Sequence, residues 1–114
     1  MRLPEADRAI IEPEKLRDYV LSPSHPVGRF KEAVFSGMGY TRDDWMRLEA
    51  DIRGQHLPLE VSGTAPSKFG QKYMISGPIT GPIGRIVVFK SVWIVLKGQS
   101  APRLVTIYPE SRLP

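Results

Sequence analysis

Three strand-like runs near the C-terminal end limit the possible folds more than any other feature of this sequence. They read "KYMISGPI" (72–79), "GRIVVFKSVWIVLKG" (84–98) and "RLVTIYP" (103–109), and they are rich in β-branched and aromatic residues. The links between them, "TGPIG" and "GQSAP", consist mainly of turn-forming residues. Because links this short join antiparallel neighbours, we predict a meander within a sheet of three or four strands.

Helical patterns precede the strands. Apolar residues recur at helical spacing and predict helices over about residues 13–20, 29–38 and 41–53. Pro13 suits the first turn of the first helix, and Thr41 followed by Asp44 has the spacing of a capping box at the start of the third. We expect that third helix to end at Gly54. The segment that follows has no helical period, which predicts a surface connection with at most one short strand.

These patterns predict an α+β fold in which N-terminal helices pack on a C-terminal antiparallel β-meander. A chain of 114 residues, 41% of them hydrophobic, can build one modest core. We therefore expect a single domain over residues 1–114, with a helical part at about 1–54 and a sheet part at about 68–110. The run "AIIE" (9–12) is compatible with a short additional strand.

Charge is distributed unevenly along the chain. Residues 1–60 hold nine Lys/Arg and eleven Asp/Glu, a net charge of −2, whereas residues 61–114 hold seven Lys/Arg and one acidic residue, Glu110, a net charge of +6. A cationic surface of this kind attracts polyanions, of which nucleic-acid backbones are the commonest. On charge alone, a basic face that serves only solubility is about as good an interpretation.

Several classes of site are disfavoured by what the sequence lacks. Without cysteine it can form no disulfide, thiolate zinc site or cysteine nucleophile, which agrees with a cytoplasmic location. Its two histidines, His25 and His56, are far apart and stand in no ligand motif, so we expect neither a metal nor another cofactor. No run approaches 18 apolar residues and no signal-peptide pattern opens the chain, so we expect no membrane partner.

Strand alternation predicts which side chains share a face of the sheet. It groups Ser91 with Trp93 on the long run, and Leu104, Thr106 and Tyr108 on the last run, opposite Arg103, Val105 and Ile107. We expect the more aliphatic face to pack on the helices. The other face would then present Ser91, Trp93, Thr106 and Tyr108 as the open floor of a binding site. We expect His56 to be structural or solvent-exposed.

The segment "LSPSHPVGRFK" (21–31) places His25 just before Arg29 and Lys31. Such a loop is either a connector between helices or part of an active site that holds an acid/base group beside cations. RNA carries its own nucleophile, the 2′-hydroxyl, so cleavage without metal needs a proton acceptor, a proton donor and groups that stabilise the phosphorane charge. Residue types suited to these roles are His25, Arg29, Lys31, Lys90, Arg103, Thr106 and Tyr108. Each also has an ordinary structural interpretation as a loop, surface or strand residue.

Three segments together carry a family resemblance: "KLRDYVLSPSHPVGRFKEAVF", "SVWIV" and "PRLVTIYP". They resemble a bacterial family of small proteins and toxin C-terminal domains, described mainly as a domain of unknown function, with the pattern HPxGxxK, then W, then PRLxTxY. The layout of helices and meander is also similar to the superfamily of barnase, EndoU, the tRNase colicins and RelE toxins, which is an analogy at the level of fold. The resemblance implies a metal-independent ribonuclease of the toxin type.

The resemblance also implies where the site lies. It carries over the candidate catalytic residues His25, Lys31, Arg103, Thr106 and Tyr108, together with Trp93. Arg29 stands where relatives more often have lysine, and since arginine cannot act as a base, its role is phosphate binding. We assign Arg29, Lys90, Ser91 and Trp93 to substrate binding.

The leading hypothesis is therefore a toxin-type ribonuclease that cleaves RNA by attack of the 2′-hydroxyl, with RNA and an acidic immunity or antitoxin protein as partners. Whether the chain is an enzyme stays open at this point. One alternative is a non-catalytic protein-interaction or adaptor module, and another is a regulator that binds RNA without cleaving it. The oligomeric state is undetermined by the sequence.

Overall fold

The computed structural model describes residues 1–21 and 29–110, with the side chains of residues 19, 20 and 29–32 outside that description. Its sheet has four strands in the order β1-β2-β3-β4, and every neighbouring pair is antiparallel. The strands are β1 (Val61–Pro66), β2 (Gly70–Thr80), β3 (Ile86–Leu96) and β4 (Arg103–Pro109). The predicted antiparallel sheet is confirmed, and β1 is the short strand that the connection after Gly54 allowed.

The helices are short. They comprise a 3₁₀ turn (Ala6–Arg8), a π-helical segment (Lys15–Val20), α1 (Arg29–Gly37), α2 (Trp45–Asp51) and a π-helical continuation of α2 (Ile52–His56). With the sheet they confirm the α+β class.

The third predicted helix differs from the observed one at both ends. The Thr41 hydroxyl accepts a hydrogen bond from the backbone N–H of Asp44, but this contact closes a turn before α2 rather than its first turn. The helical path also passes through Gly54 and ends at His56. Burial of Ile52 and His56 accounts for the extension, because both side chains are held in the core.

The first residues of the chain extend the sheet at both edges. A single bridge joins Arg2 to Glu60 just before β1, and another joins Ile10 to Arg103 at the start of β4. The run expected to form an additional strand therefore contributes one parallel bridge, in which the N–H of Ile10 donates to Pro102 O and Ile10 O accepts from Leu104. The N-terminal part is thus not purely helical.

The core lies between the helices and one face of the sheet. The Phe35 ring of α1 stacks on Phe89 of β3 with centroids 4.7 Å apart and planes 5° from parallel. Leu48 of α2 and Ile52 of its π-helical continuation are fully buried, as is Ile107 of β4. Helix packing therefore selects the face of the sheet to which Phe89 and Ile107 belong.

This core face contains Ile75, Ile79, Phe89, Ser91, Trp93, Leu104 and Ile107, all of them buried. The expectation that Ser91 and Trp93 lie on an open face is wrong, because both side chains are fully buried. Phe89 and Trp93 have more apolar surface than the aliphatic side chains on the other side of β3, so burying them gains more free energy. His56 is buried, which agrees with the structural alternative expected for it and not with the solvent-exposed one.

None of the helices in the described part of the chain combines the length and the apolar character that a membrane crossing requires.

Candidate functional site

The second face of the sheet points away from the core and brings together nine side chains from three strands. We call it the open face; it consists of Lys72, Met74 and Ser76 of β2, Lys90, Val92 and Ile94 of β3, and Arg103, Thr106 and Tyr108 of β4. Except for Ile94, which is buried, these side chains are partly exposed. The open face is therefore partly accessible to solvent.

Residues that pair across antiparallel strands project from the same face, so the register fixes the neighbours of each side chain. Lys90 pairs with Ser76 on β2 and with Tyr108 on β4. Since neighbouring strands lie about 4.8 Å apart, the ammonium-bearing side chain stands between two hydroxyl-bearing ones. Thr106 is two positions along β4 from Tyr108 and adds a third hydroxyl. The cluster therefore combines one positive charge with three hydroxyl groups, which are residue types suited to an anionic group.

A β-bulge brings Arg103 to the same face. Val92 pairs with Thr106, and the next residue, Trp93, pairs with Leu104, so Val105 is an extra residue in β4. Simple alternation placed Arg103 opposite Thr106 and Tyr108; this prediction is wrong because the bulge shifts the alternation by one residue. The structure thus gathers Arg103, Thr106 and Tyr108 on one face.

Arg103 is already engaged by an acidic residue. Its Nη1 donates to Glu12 Oε1 at 2.6 Å, an ion pair that links the N-terminal segment to β4. Its Nε is buried and has no hydrogen-bond partner within the described residues. The Glu12 carboxylate offsets much of the positive charge that Arg103 would otherwise add to the open face.

The open face is strongly biased in charge. The four strands contain no aspartate or glutamate, and their three basic residues, Lys72, Lys90 and Arg103, all lie on this face. Repulsion between cations on one surface is tolerated where a polyanion neutralises them. This arrangement accounts structurally for part of the excess positive charge in the second half of the sequence.

Three of the sequence-predicted residues, Lys90, Thr106 and Tyr108, come together on the open face, with Arg103 beside them. His25 lies outside the described residues, as do the side chains of Arg29 and Lys31. The backbone of Arg29 and Lys31 belongs to α1, a helix that contacts β4.

Sequence reasoning missed Lys72 and Ser76. Both lie in the run "KYMISGPI", at alternate positions with Met74. The signal that identifies them is the register of the β2–β3 hairpin, which pairs Ser76 with Lys90. The short link "TGPIG" indicated that hairpin, but the exact pairing required the structure.

Ser91 and Trp93 belong instead to a buried polar network with His56. Trp93 Nε1 donates to Ser91 Oγ at 2.8 Å, and Ser91 Oγ lies 2.8 Å from His56 Nε2. His56 Nδ1 is buried and no described group is placed to hydrogen-bond it. Burial lowers the pKa of His56. The nearby backbone groups of Gly77 and Ile75 have a smaller, opposite effect on this pKa. The network of His56, Ser91 and Trp93 thus supports the core.

The described residues line a groove beside the sheet and a larger hollow away from its strands. A groove of about 260 Å³ lies along β4 and is lined by Glu14, Lys15, Val105 and Thr106. A larger hollow of about 450 Å³ lies between the first residues of the chain and the segment after α2; it is lined by Arg2, Leu3, Glu5, Ala6, Asp7, Arg53, Leu57 and Pro58. Only the groove shares a residue with the open face, namely Thr106. In the described ranges, no three His, Cys, Asp or Glu side chains converge on a common metal position.

Comparison with known proteins relates most of the chain to others. The model of a family described as a domain of unknown function, DUF6883, matches residues 2–111. No curated protein sequence matches the chain. The fold is similar to that of a chain in a contact-dependent growth inhibition toxin–immunity protein complex from Klebsiella pneumoniae 342, with a TM-score of 0.70 and 16% identity over 89% of this chain and 99% of that chain. At that identity the likeness concerns the fold.

Proposed function

The chain belongs to the DUF6883 family of domains of unknown function, and from that premise we propose that it is a toxin-type ribonuclease that cleaves RNA without a metal ion. The 2′-hydroxyl of the substrate attacks the neighbouring phosphorus, and the 5′-oxygen of the next nucleotide leaves with a proton supplied by the protein. The products are a cyclic phosphate end and a free 5′-hydroxyl. The chemistry needs proton transfer and stabilisation of a phosphorane, both within reach of side chains alone.

The observation that carries this proposal is the placement of Lys90 between Ser76 and Tyr108, with Thr106 next to them, on a sheet face whose strands contain no acidic residue. A phosphorane bears more negative charge than the phosphodiester from which it forms. Donors arranged before the reaction stabilise that charge without the cost of reorienting them. Lys90 supplies positive charge, and the hydroxyl groups supply directed hydrogen bonds.

The remaining roles follow from residue type and from the family resemblance. His25 is proposed to transfer the proton, with Lys31 as the second acid/base or charge-stabilising group and Arg29 as a phosphate ligand. Arg29 and Lys31 are residues of α1, which packs on the core face and contacts the edge strand β4, so this assignment requires the start of α1 to reach past that edge to the open face. Arg103 is proposed to orient the phosphate from the edge of the site while Glu12 holds its guanidinium.

An acidic immunity protein is the proposed protein partner. A surface whose strands are basic and free of carboxylates is complementary to an acidic protein, which would exclude RNA by occupying the same face. The fold likeness to a chain of a toxin–immunity protein complex agrees with a partner of this class. High salt should weaken such a complex, because its charges meet at a surface.

The test is cleavage of single-stranded RNA by the full chain in the presence of a chelator. We expect RNA fragments with cyclic phosphate ends and intact DNA. Replacing His25 with Ala should slow cleavage by roughly 10² to 10⁴-fold if it transfers a proton. Lys90→Ala should weaken RNA binding as well, whereas Lys97→Ala, in the turn after β3, serves as the matched control of equal charge.

Two outcomes favour the alternatives. Salt-dependent RNA binding without cleavage, by the wild type and the His25 variant alike, would identify a regulator that holds RNA. A folded protein with neither binding nor cleavage would support a protein-interaction module and overturn the proposal.

A further inference from the structure

The groove beside β4 has a chemical character different from that of the open face. Its walls include one carboxylate, Glu14, and one ammonium, Lys15, where the open face presents only cations and hydroxyl groups among its polar side chains. A phosphate would meet repulsion from Glu14. The groove is therefore suited to a neutral group that carries both hydrogen-bond donors and acceptors.

The bulge in β4 builds this groove. Val105, the extra residue of the strand, has an exposed side chain, and its carbonyl oxygen accepts a hydrogen bond from Lys15 Nζ at 3.1 Å. Lys15 is thereby held at the groove with one of its three N–H donors used, and the other donors remain for a ligand. The apolar side chain of Val105 gives the face of a flat ring a surface on which to lie.

We infer that this groove is a subsite for a guanine base, an inference that rests on the proposed ribonuclease function. Guanine presents two adjacent donors, N1–H and the exocyclic N2 amino group, next to the acceptor O6. The two oxygens of the Glu14 carboxylate are complementary to the donors, and the free N–H groups of Lys15 are complementary to O6. Single-stranded RNA is read in this way, through unstacked bases hydrogen-bonded on their edges.

The other bases match the same groups less well. The corresponding edges of adenine and cytosine carry one amino donor next to a ring acceptor, so one carboxylate oxygen of Glu14 would face a lone pair. Uracil has a single N–H between two carbonyl oxygens and would place one of them against Glu14. A site with a carboxylate therefore discriminates through an unfavourable contact with the wrong base as well as a favourable one with guanine.

The position of the groove relates the base to the phosphate. Thr106 belongs both to the groove and to the open face, where Tyr108 and Lys90 are its neighbours. A nucleotide with its base against Glu14 can therefore extend its phosphate toward the cluster around Lys90. The subsite would select the nucleotide beside the cleaved bond.

Direct binding tests the subsite independently of cleavage. The probes are the 3′-monophosphates of guanosine, inosine, adenosine, cytidine and uridine, titrated into the 114-residue chain by calorimetry and by amide NMR. We expect guanosine 3′-monophosphate to bind roughly 5- to 150-fold more tightly than the adenosine, cytidine and uridine probes, the range typical of one bidentate base contact. Inosine, which lacks the N2 amino group, should fall between. Shifts at the Val105 and Thr106 amides should accompany binding.

Glu14→Gln is the decisive variant, because it keeps the size of the side chain and replaces one acceptor with a donor. It should abolish most of the preference for guanosine and change the bases at which RNA is cut. Asp43→Asn removes an exposed carboxylate away from the groove and should leave the preference unchanged. A preference that survives Glu14→Gln, equal binding of all five probes, or no binding would overturn the subsite.

The two proposals fail separately. Guanosine preference that depends on Glu14, in a protein that cuts no RNA, keeps the subsite and rejects the ribonuclease. Chelator-resistant RNA cleavage without any Glu14-dependent base preference keeps the ribonuclease and rejects the subsite.

Discussion

The two faces of β3 differ in what their side chains do although they alternate along one strand. Phe89, Ser91 and Trp93 are completely buried against the helices, while Lys90 and Val92 project from the open face. Fold stability and the candidate site therefore depend on neighbouring residues that point in opposite directions. A single substitution in this strand can alter one property and leave the other nearly unchanged.

The polar groups on the two faces are also used differently. On the core face, Ser91 Oγ is enclosed between Trp93 Nε1 and His56 Nε2. On the open face, Lys90 lies between hydroxyl-bearing residues at a partly exposed position. A polar residue in a strand thus marks a binding surface only when its face is open, since a buried one has to be satisfied by the protein itself.

The largest expected effect is loss of stability on the core face. Trp93→Ala removes a fully buried ring and leaves His56 and Ser91 beside a cavity, so it should lower the free energy of unfolding by about 3–5 kcal/mol. Lys90→Ala, three residues earlier on the open face, should change it by no more than about 0.5 kcal/mol. Urea unfolding followed by circular dichroism measures both variants.

The order of the two variants should be reversed in an RNA-binding assay, carried out under conditions in which the Trp93 variant is still folded. Lys90→Ala should then bind more weakly than Trp93→Ala. Equal stability losses at the two positions would contradict the separation of the faces.

The sheet was predictable because its signals are local. The three β-rich runs and their short links specify β2, β3 and β4, and the structure contains all three as antiparallel neighbours. The short strand β1 has a weaker pattern, with glycine and proline among its six residues. The end of the third predicted helix was missed because Gly54 is tolerated in its helical path when Ile52 and His56 are buried on either side.

The candidate site was predictable only in part, for two physical reasons. Both faces of β3 are apolar enough to form a core, so alternation could not decide whether Trp93 or Val92 faces the helices. The β4 bulge depends on pairing with β3 and has no sequence signal of its own, yet it determines the direction of Arg103. Lys90, Thr106 and Tyr108 were selected from the sequence by residue type, but alternation grouped the two hydroxyl residues with Ser91 and Trp93, and only the register shows that they share a face with Lys90.

A smaller effect should appear on the core face as pH falls. Burial lowers the pKa of His56 below its usual 6.5, so the unfolded chain binds a proton at that residue before the folded one does. Stability from this residue is complete above the unfolded pKa and declines as pH falls below it, by at most about 1.4 kcal/mol per pH unit for one proton. Unfolding measured between about pH 7.5 and 5.5 should show this decline.

His56→Gln provides the control for that decline. It removes the titrating group and should make the difference in stability between the two pH values smaller than in the wild type, even if the variant is less stable throughout. An unchanged pH dependence would mean that other groups, and not the buried network, control acid sensitivity.

The smallest expected effect concerns the edge of the open face. Lys72 pairs with Ile94, which in turn pairs with Arg103, so it stands two rows from the Lys90 cluster. If it contacts one phosphate of a single-stranded RNA, Lys72→Ala should reduce the slope of log K against log salt by about 0.7, with no change in base preference. Lys97→Ala, which removes an equal charge from the turn beyond the sheet, should leave the slope unchanged. Equal reductions in the two variants would show that RNA responds to the overall charge of the protein. The proposal that RNA binds at the open face would then be rejected.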